Sequence, residues 1–188
     1  MYKRIIFESP DNCGKDTQIR LLSTRFAKQM TPYHVLHYSA IPGITPEESK
    51  AYSMCLYRDM FRLILHETAE VDRTLILNRS HIGENVYAPM YRNTDGEWIF
   101  LIEKHFKMAY PYKWDDLYLI TFVDDPENLI KRDDGLSFSV DLDKKASEIG
   151  RFITTTKQSN IVNKIIINIR NKDQHRVHEE VLNFLNME

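Results

Sequence analysis

The chain has 188 residues, 43% of them hydrophobic, and a formal net charge of −2. The length suits one domain, residues 1–188, with a full hydrophobic core. The small net charge gives no general attraction to nucleic acid or to an anionic membrane. Cys13 and Cys55 form neither a metal-binding pattern nor a disulfide framework. We recognise no signal peptide and no long apolar run, so we expect a soluble, cytoplasmic protein in a reducing compartment.

The first predicted strand, residues 3–7, leads into a loop that ends in Gly14-Lys15, and a helix is predicted over 15–30. A strand, a tight loop with Gly-Lys and a helix make the geometry of a phosphate-binding loop. Backbone N–H groups and the helix dipole attract an anion there, and Lys15 would add an ammonium beside the β- and γ-phosphates of a nucleotide. The predicted nucleotide-binding residues are Asn12, Cys13, Gly14, Lys15, Asp16 and Thr17.

The loop departs from the usual pattern G-x-x-x-x-G-K-[ST] at two informative positions. Ser9 stands where the first glycine is expected, and Asp16 stands where a Mg²⁺-binding hydroxyl is expected. Asn12 tolerates the left-handed backbone that such loops need. Because carboxylates suit Mg²⁺, Asp16 is the candidate metal ligand, directly or through water. The simpler interpretation is an ordinary strand-to-helix turn with a solvated lysine.

Beyond this loop, β-rich runs alternate with helical patterns. Strands are predicted at 34–38, 73–78, 116–123 and 164–169, and helices at 46–68, 81–91, 96–109, 126–132, 142–158 and 174–186. Continuous apolar triplets in the first, third and fifth strands predict burial on both faces of a parallel sheet. The alternation indicates an α/β doubly wound fold, in which ligands bind at the carboxyl ends of the strands.

Cationic residues follow two of these strands. Arg79 comes directly after the third, and an Arg there can hold phosphate in a bidentate fork. Lys131 and Arg132 end the helix that follows the fourth strand, just before a loop containing Gly135. Simpler interpretations are an ion pair between Arg79 and Glu84, and helix C-terminal charges that the dipole favours.

Together these residues resemble the thymidylate kinase-like branch of the P-loop nucleoside monophosphate kinases. The resemblance rests on Phe7-Glu8-x-x-Asp11-x-x-Gly14-Lys15-x-Thr17-Gln18 and on Arg79-Ser80-His81-x-Gly83-Glu84-x-Val86-Tyr87, which looks particularly like phage-encoded deoxynucleotide kinases. It implies a P-loop NTPase three-layer fold, with a five-stranded parallel sheet, helices on both faces and a short lid near residues 131–142. It also implies ATP and Mg²⁺, a deoxynucleoside monophosphate acceptor, a homodimer and, if the chain is phage-encoded, the host cytoplasm.

The resemblance also implies roles for residues that line the reaction site. Lys15 and Lys131 would hold the donor, while Arg79 and Arg132 would stabilise charge on the transferred group. For the acceptor, it implies that Asp11 faces the sugar, that Arg58 contributes a cation and that Tyr87 lies near the deoxyribose. Phe61 and Tyr57 are candidates to stack on the base, with core packing as the alternative.

The acceptor region departs most from the family. An Arg-Glu-Pro element usually follows strand two, but this chain has Tyr38-Ser39-Ala40-Ile41-Pro42-Gly43, without Arg. The Asp of an Asp-Arg pair has become Asn78. Two alternatives therefore remain. One is a deoxynucleoside kinase that uses Glu8 as a base, and the other is a catalytically weak nucleotide-binding protein.

Overall fold

The computed structural model describes residues 2–39, 45–65 and 73–187. The strands are β1 Arg4–Glu8, β2 Tyr33–His37, β3 Thr74–Asn78, β4 Leu117–Val123 and β5 Asn163–Asn168. The helices are α1 Lys15–Lys28, α2 Pro46–Leu65, α3 Ile82–Tyr91, α4 Trp98–Ala109, α5 Pro111–Trp114, α6 Pro126–Lys131, α7 Leu142–Gln158 and α8 Gln174–Phe184.

Every predicted strand is present within one residue of its expected bounds. The short helix α5 was not predicted, because four residues are too few to show a helical period. The end of the helix predicted over 46–68 and the segment Ala40–Gly43 lie outside the described residues. Across the described ranges, no helix is long and apolar enough to cross a membrane.

The five strands form one sheet in the order β2-β3-β1-β4-β5, and every neighbouring pair is parallel. Alternate residues of β1 belong to two different hydrophobic clusters, one on each face of the sheet. Ile6 packs with side chains of α2, α3, α4, α5 and α7 on one face, whereas Ile5 and Phe7 pack with α1, α6 and α8 on the other. The structure thus confirms the predicted three-layer α/β fold.

The apolar triplet of the fifth strand differs from the expectation. Ile165 and Ile166 are only half-buried, whereas Ile167 is buried. The reason is position, because β5 lies at an edge of the sheet and has a neighbouring strand on one side. The triplets of β1 and β3 are buried as predicted, since these strands lie inside the sheet.

The register of the strands brings three chain segments to one edge of the sheet. Phe7 is opposite Asn78 of β3, and Glu8 is opposite Thr121 of β4. The loop after β1, the segment beginning at Arg79 and the segment beginning at Asp124 therefore start side by side at the carboxyl ends of parallel strands.

Candidate active site

The loop between β1 and α1 has the backbone geometry of an anion-binding loop. Asn12 and Gly14 adopt the left-handed conformation, with φ of 67° and 71°, as the sequence predicted for Asn12. Residues 9–17 line a cavity of about 240 Å³, together with Arg79 and Arg132, which we call the phosphate cavity. The N-terminus of α1 starts at Lys15, so its free N–H groups and dipole favour an anion at this point.

Lys15, Asn78 and Asp16 form a short polar chain inside this cavity. The buried Lys15 Nζ donates to Asn78 Oδ1 at 2.5 Å, and Asn78 Nδ2 donates to Asp16 Oδ1 at 2.7 Å. Lys15 Nζ also lies 3.7 Å from Asp16 Oδ2. Burial lowers the pKa of Lys15, and the Asp16 carboxylate opposes that shift. Asn78 thus fixes the position of the ammonium relative to the carboxylate.

Mg²⁺ fits the residues beside Lys15. Proteins usually bind Mg²⁺ through one or two carboxylates together with substrate phosphates and water. Asp16 offers an exposed carboxylate, and Thr17 lines the same cavity. Within the described ranges, no group of three or more His, Cys, Asp or Glu side chains could hold a metal ion by itself. A Mg²⁺ ion here would therefore be shared between Asp16 and a phosphate ligand.

Two predicted nucleotide-binding residues are placed differently from the expectation. The Cys13 side chain is buried among α1, α6 and α8, and burial raises the pKa of its thiol. Its contribution to a phosphate is therefore limited to its backbone. Lys131 is exposed at the end of α6 and does not line the phosphate cavity, whereas Arg132 does. The two cations are successive residues at the end of α6, so their side chains point in different directions.

Arg79 has an unusual backbone and a central position. Its φ of 70° is rare for a non-glycine residue, and its N–H donates to the Phe7 carbonyl at 3.0 Å. Its guanidinium donates to Asp11 Oδ1 at 2.5 Å. Burial alone would lower the pKa of Arg79, but Asp11 together with Tyr87 and Glu8 outweighs this effect, so the pKa is raised. The simpler interpretation, an ion pair between Arg79 and Glu84, does not agree with the structure, in which Glu84 pairs with Arg92.

A second cavity, of about 90 Å³, shares Arg79 with the phosphate cavity, and we call it the aromatic cavity. Tyr57 and Tyr87 line this cavity together with Phe138, from the segment between α6 and α7. The Phe138 ring lies 5.3 Å from the Tyr87 ring, between ring centroids. Glu84 and Arg92 line the same cavity and form an ion pair of 2.6 Å. Its aromatic walls and paired charges suit a flat polar ligand.

The structure does not bring Arg58 or Phe61 to this cavity. Phe61 is fully buried and stacks on Phe106 and Trp114, with centroid distances of 5.3 and 5.4 Å. Arg58 is exposed and lines a separate groove between α2 and α4. A helix turns about 100° per residue, which separates Arg58 from its neighbour Tyr57. The core alternative for Phe61 therefore agrees with the structure, while Tyr57 lines the cavity.

Sequence reasoning missed Arg92 and Phe138. Arg92 follows α3 directly, and Glu84 lies in the first turn of the same helix. The signal available in the sequence was Glu84, a charged residue in the mostly apolar helix α3, because a buried carboxylate needs a cationic partner such as Arg92. Phe138 lies in an irregular segment and gave no periodic signal.

The segment 132–141 contacts the phosphate loop through hydrogen bonds. Asn12 Nδ2 donates to Asp133 Oδ1 at 3.1 Å and to Ser137 Oγ at 3.0 Å. Arg132 donates to the Asp124 carboxylate and, at 3.4 Å, to the Asn12 carbonyl. The segment that the sequence assigned to a lid thus lies against the donor loop.

Glu8, the candidate base of the alternative enzyme, is buried at the end of β1. Its Oε1 accepts hydrogen bonds from the Ser80 N–H at 2.6 Å, the Ser80 hydroxyl at 2.7 Å and the Gly83 N–H at 3.4 Å. Burial raises the pKa of Glu8, which these contacts and nearby cations oppose. The carboxylate thereby anchors the start of α3, and it also lines the second cavity.

A phosphate-binding loop after the central strand of this parallel sheet defines a P-loop NTPase fold. Solved structures with a similar fold identify the branch of this fold more specifically. Thymidylate kinase from Candida albicans has a TM-score of 0.64 at 13% identity, covering 98% of this chain and 91% of that chain. Thymidylate kinase from Ehrlichia chaffeensis has a TM-score of 0.63 at 18% identity, covering 98% of both chains. These likenesses confirm the predicted thymidylate kinase-like fold. No family model and no curated protein sequence matches this chain.

Proposed function

We propose that this protein is a deoxynucleoside monophosphate kinase, which transfers the γ-phosphate of ATP to a deoxynucleoside monophosphate. The observation that carries the proposal is the position of Arg79, which lines both the phosphate cavity and the aromatic cavity. A phosphoryl group that moves between the two cavities would pass beside this guanidinium.

On the donor side, Lys15 and the backbone N–H groups at the start of α1 bind the β- and γ-phosphates. Asp16, with Thr17 beside it, would hold Mg²⁺, and the ion would neutralise phosphate charge when bound with ATP. Phosphoryl transfer asks mainly for positioning and for neutralisation of charge. Arg132 adds a second cation to the same cavity, and the segment 132–141 excludes water when it lies over the loop.

On the acceptor side, the aromatic cavity takes the nucleoside, and its phosphate points toward Arg79. Asp11 is a positioning residue because its carboxylate holds the Arg79 guanidinium at 2.5 Å. Tyr87 lies where a deoxyribose would pass from the cavity to Arg79. The acceptor phosphate is already an anionic nucleophile, so no general base is needed.

The test is a screen of acceptors with ATP and Mg²⁺, in which nucleoside diphosphates are separated and quantified. We expect product from at least one deoxynucleoside monophosphate. Lys15→Ala should lower turnover by at least about 100-fold, since it removes a main electrostatic stabiliser of the transition state. Lys28→Ala, at the exposed end of the same helix, is the matched control. Near-normal turnover by Lys15→Ala would contradict the proposal.

A deoxynucleoside kinase is the second candidate, and the position of Glu8 favours it. A nucleoside hydroxyl needs a base to accept its proton. The buried Glu8 carboxylate lines the aromatic cavity, and its pKa is raised by burial. The same screen separates the two enzymes, because phosphorylation of nucleosides alone would select this candidate. The homodimer stays a prediction, which sedimentation velocity can check.

A further inference from the structure

A buried ion pair with unused hydrogen-bonding capacity lies at the aromatic cavity. Glu84 is 2% exposed, and its Oε2 accepts from Arg92 Nη2 at 2.6 Å. Within the described residues, Glu84 Oε1 and Arg92 Nε are buried atoms without a hydrogen-bond partner. Burial raises the pKa of the Glu84 carboxyl, an effect that Arg92 and the nearby Ser53 oppose, but the Ser53 hydroxyl has no hydrogen-bond partner among the described residues. One acceptor atom of the pair is therefore buried without a protein partner.

An unpaired carboxylate oxygen is costly to bury. A buried polar atom without a partner loses its hydration without compensation, and the loss is larger for charged groups. Both Glu84 and Arg92 line the cavity whose walls include Tyr57, Tyr87 and Phe138. Aromatic walls favour a flat ring, and a free carboxylate oxygen favours an N–H donor on the edge of that ring. A nucleobase has both properties.

We propose that Glu84 and Arg92 determine how the acceptor base is recognised. Glu84 Oε1 accepts a hydrogen bond from an N–H group of the base, and Arg92 holds the carboxylate in place through Oε2. Arg92 also offers donors for a neighbouring carbonyl oxygen or ring nitrogen. The inference rests on the proposed function and assigns its base selection to this pair.

Substitution of Glu84 by Gln gives a sharp prediction because Arg92 orients the new amide. Arg92 can donate only to the amide oxygen, since a guanidinium has no acceptor. The amide NH₂ would then occupy the position of Oε1. Glu84→Gln therefore changes the atom that faces the base from an acceptor to a donor, with almost no change in shape.

The experiment measures equilibrium binding of the four common deoxynucleoside monophosphates and of an abasic 2-deoxyriboside 5-phosphate, without ATP. In the wild type, we expect the preferred nucleotide to bind at least about tenfold tighter than the abasic phosphate. Glu84→Gln should lose that tenfold advantage and change the ranking of the bases. Its affinity for the abasic phosphate and for ATP should stay within about twofold. Glu179→Gln, on the exposed face of α8, is the matched control.

A merely structural role for Glu84 would weaken the nucleotides and the abasic phosphate equally, which would overturn the inference. An unchanged ranking of the bases would also overturn it. If Glu84→Gln does not fold, Arg92→Lys keeps a positive charge but loses the guanidinium fork, and should reduce the same base-dependent advantage. Binding of nucleotides with an unchanged ranking in the variants rejects this inference alone. Failure of the wild type to bind any of these phosphates rejects the proposed function itself.

Discussion

The side-chain amide of Asn78 donates a hydrogen bond to the Asp16 carboxylate across 2.7 Å, joining the end of β3 to the phosphate loop. The opposite end of the same amide accepts from Lys15. A neutral amide can serve a cation and an anion at once, whereas a carboxylate at position 78 would repel Asp16. The phosphate loop thus carries the acidic side chain, and β3 carries its neutral partner.

Asn78→Asp should therefore make the stability of the protein depend on Mg²⁺. The single Lys15 ammonium would then face two carboxylates and could neutralise only one of them, so the two repel and one pKa rises unless a second cation intervenes. We expect the Tm to fall without Mg²⁺ by about 2–4 °C for each kcal/mol lost, and to recover with Mg²⁺. Thermal unfolding at neutral pH, with and without Mg²⁺, measures this. An equal Tm under both conditions would show that the two carboxylates do not face each other.

Asp16→Ala should raise the Mg²⁺ concentration that gives the half-maximal rate, by roughly tenfold for the loss of about 1.4 kcal/mol of ligand binding. Asp16→Ser supplies a hydroxyl ligand and should retain activity. Steady-state rates over a Mg²⁺ titration compare the variants. If Asp16→Ala leaves the Mg²⁺ dependence unchanged, then Asp16 is only a favourable charge at the N-terminus of α1.

Tyr87 should disfavour ribonucleotide acceptors by occupying the space of a 2′-hydroxyl. Tyr87→Ala should narrow the preference for deoxyribonucleotides, measured as the ratio of kcat/KM for matched acceptors. Tyr87→Phe keeps the ring and is the control, so its preference should match the wild type. An equal preference in Tyr87→Ala and the wild type would remove this residue from the acceptor site.

Glu103 should be a main contributor to the stability of the core beneath the site. It is fully buried and accepts hydrogen bonds from His81 at 2.7 Å, Ser159 at 2.6 Å and the Asn160 N–H at 2.6 Å. Glu103→Gln should cost about 2–4 kcal/mol of unfolding free energy, because it disrupts charge-assisted bonds in a buried network. Denaturant unfolding measures this cost, and Glu97→Gln on the surface is the control.

The contribution of Glu103 should also depend on pH. Burial alone would raise the pKa of Glu103, but the bonds from His81, Asn160 and Ser159 outweigh it and lower the pKa. A lowered pKa in the folded state means that the stabilisation is present above the unfolded pKa and is lost as the pH falls through the folded pKa. The difference between the wild type and Glu103→Gln should therefore shrink in acid. A constant difference down to acid pH would contradict the network.

The sequence predicted the elements that local pattern determines, and missed contacts that depend on distant segments. The strand, the Gly-Lys loop and α1 are local, so the predicted bounds of β1 and α1 lie within two residues of those observed. The bond from Asn12 to Ser137 joins residues 125 positions apart, and no period in the sequence reports it. Resemblance assigned Arg58 to the acceptor, but its side chain lines a separate groove between α2 and α4. Resemblance finds the helix and not the face, because successive side chains on a helix differ by about 100° in direction.

The central claim is that donor and acceptor cavities meet at Arg79, and a bisubstrate analogue tests it directly. The analogue joins adenosine to a deoxynucleoside through five phosphates, and its base is that of the preferred acceptor. We expect the wild type to bind it at least about 100-fold tighter than ATP, since both halves engage at once. Arg79→Ala should lose most of that advantage. Arg58→Ala, outside both cavities, should keep it. Binding of the analogue no tighter than ATP, or an undiminished advantage in Arg79→Ala, would contradict the account.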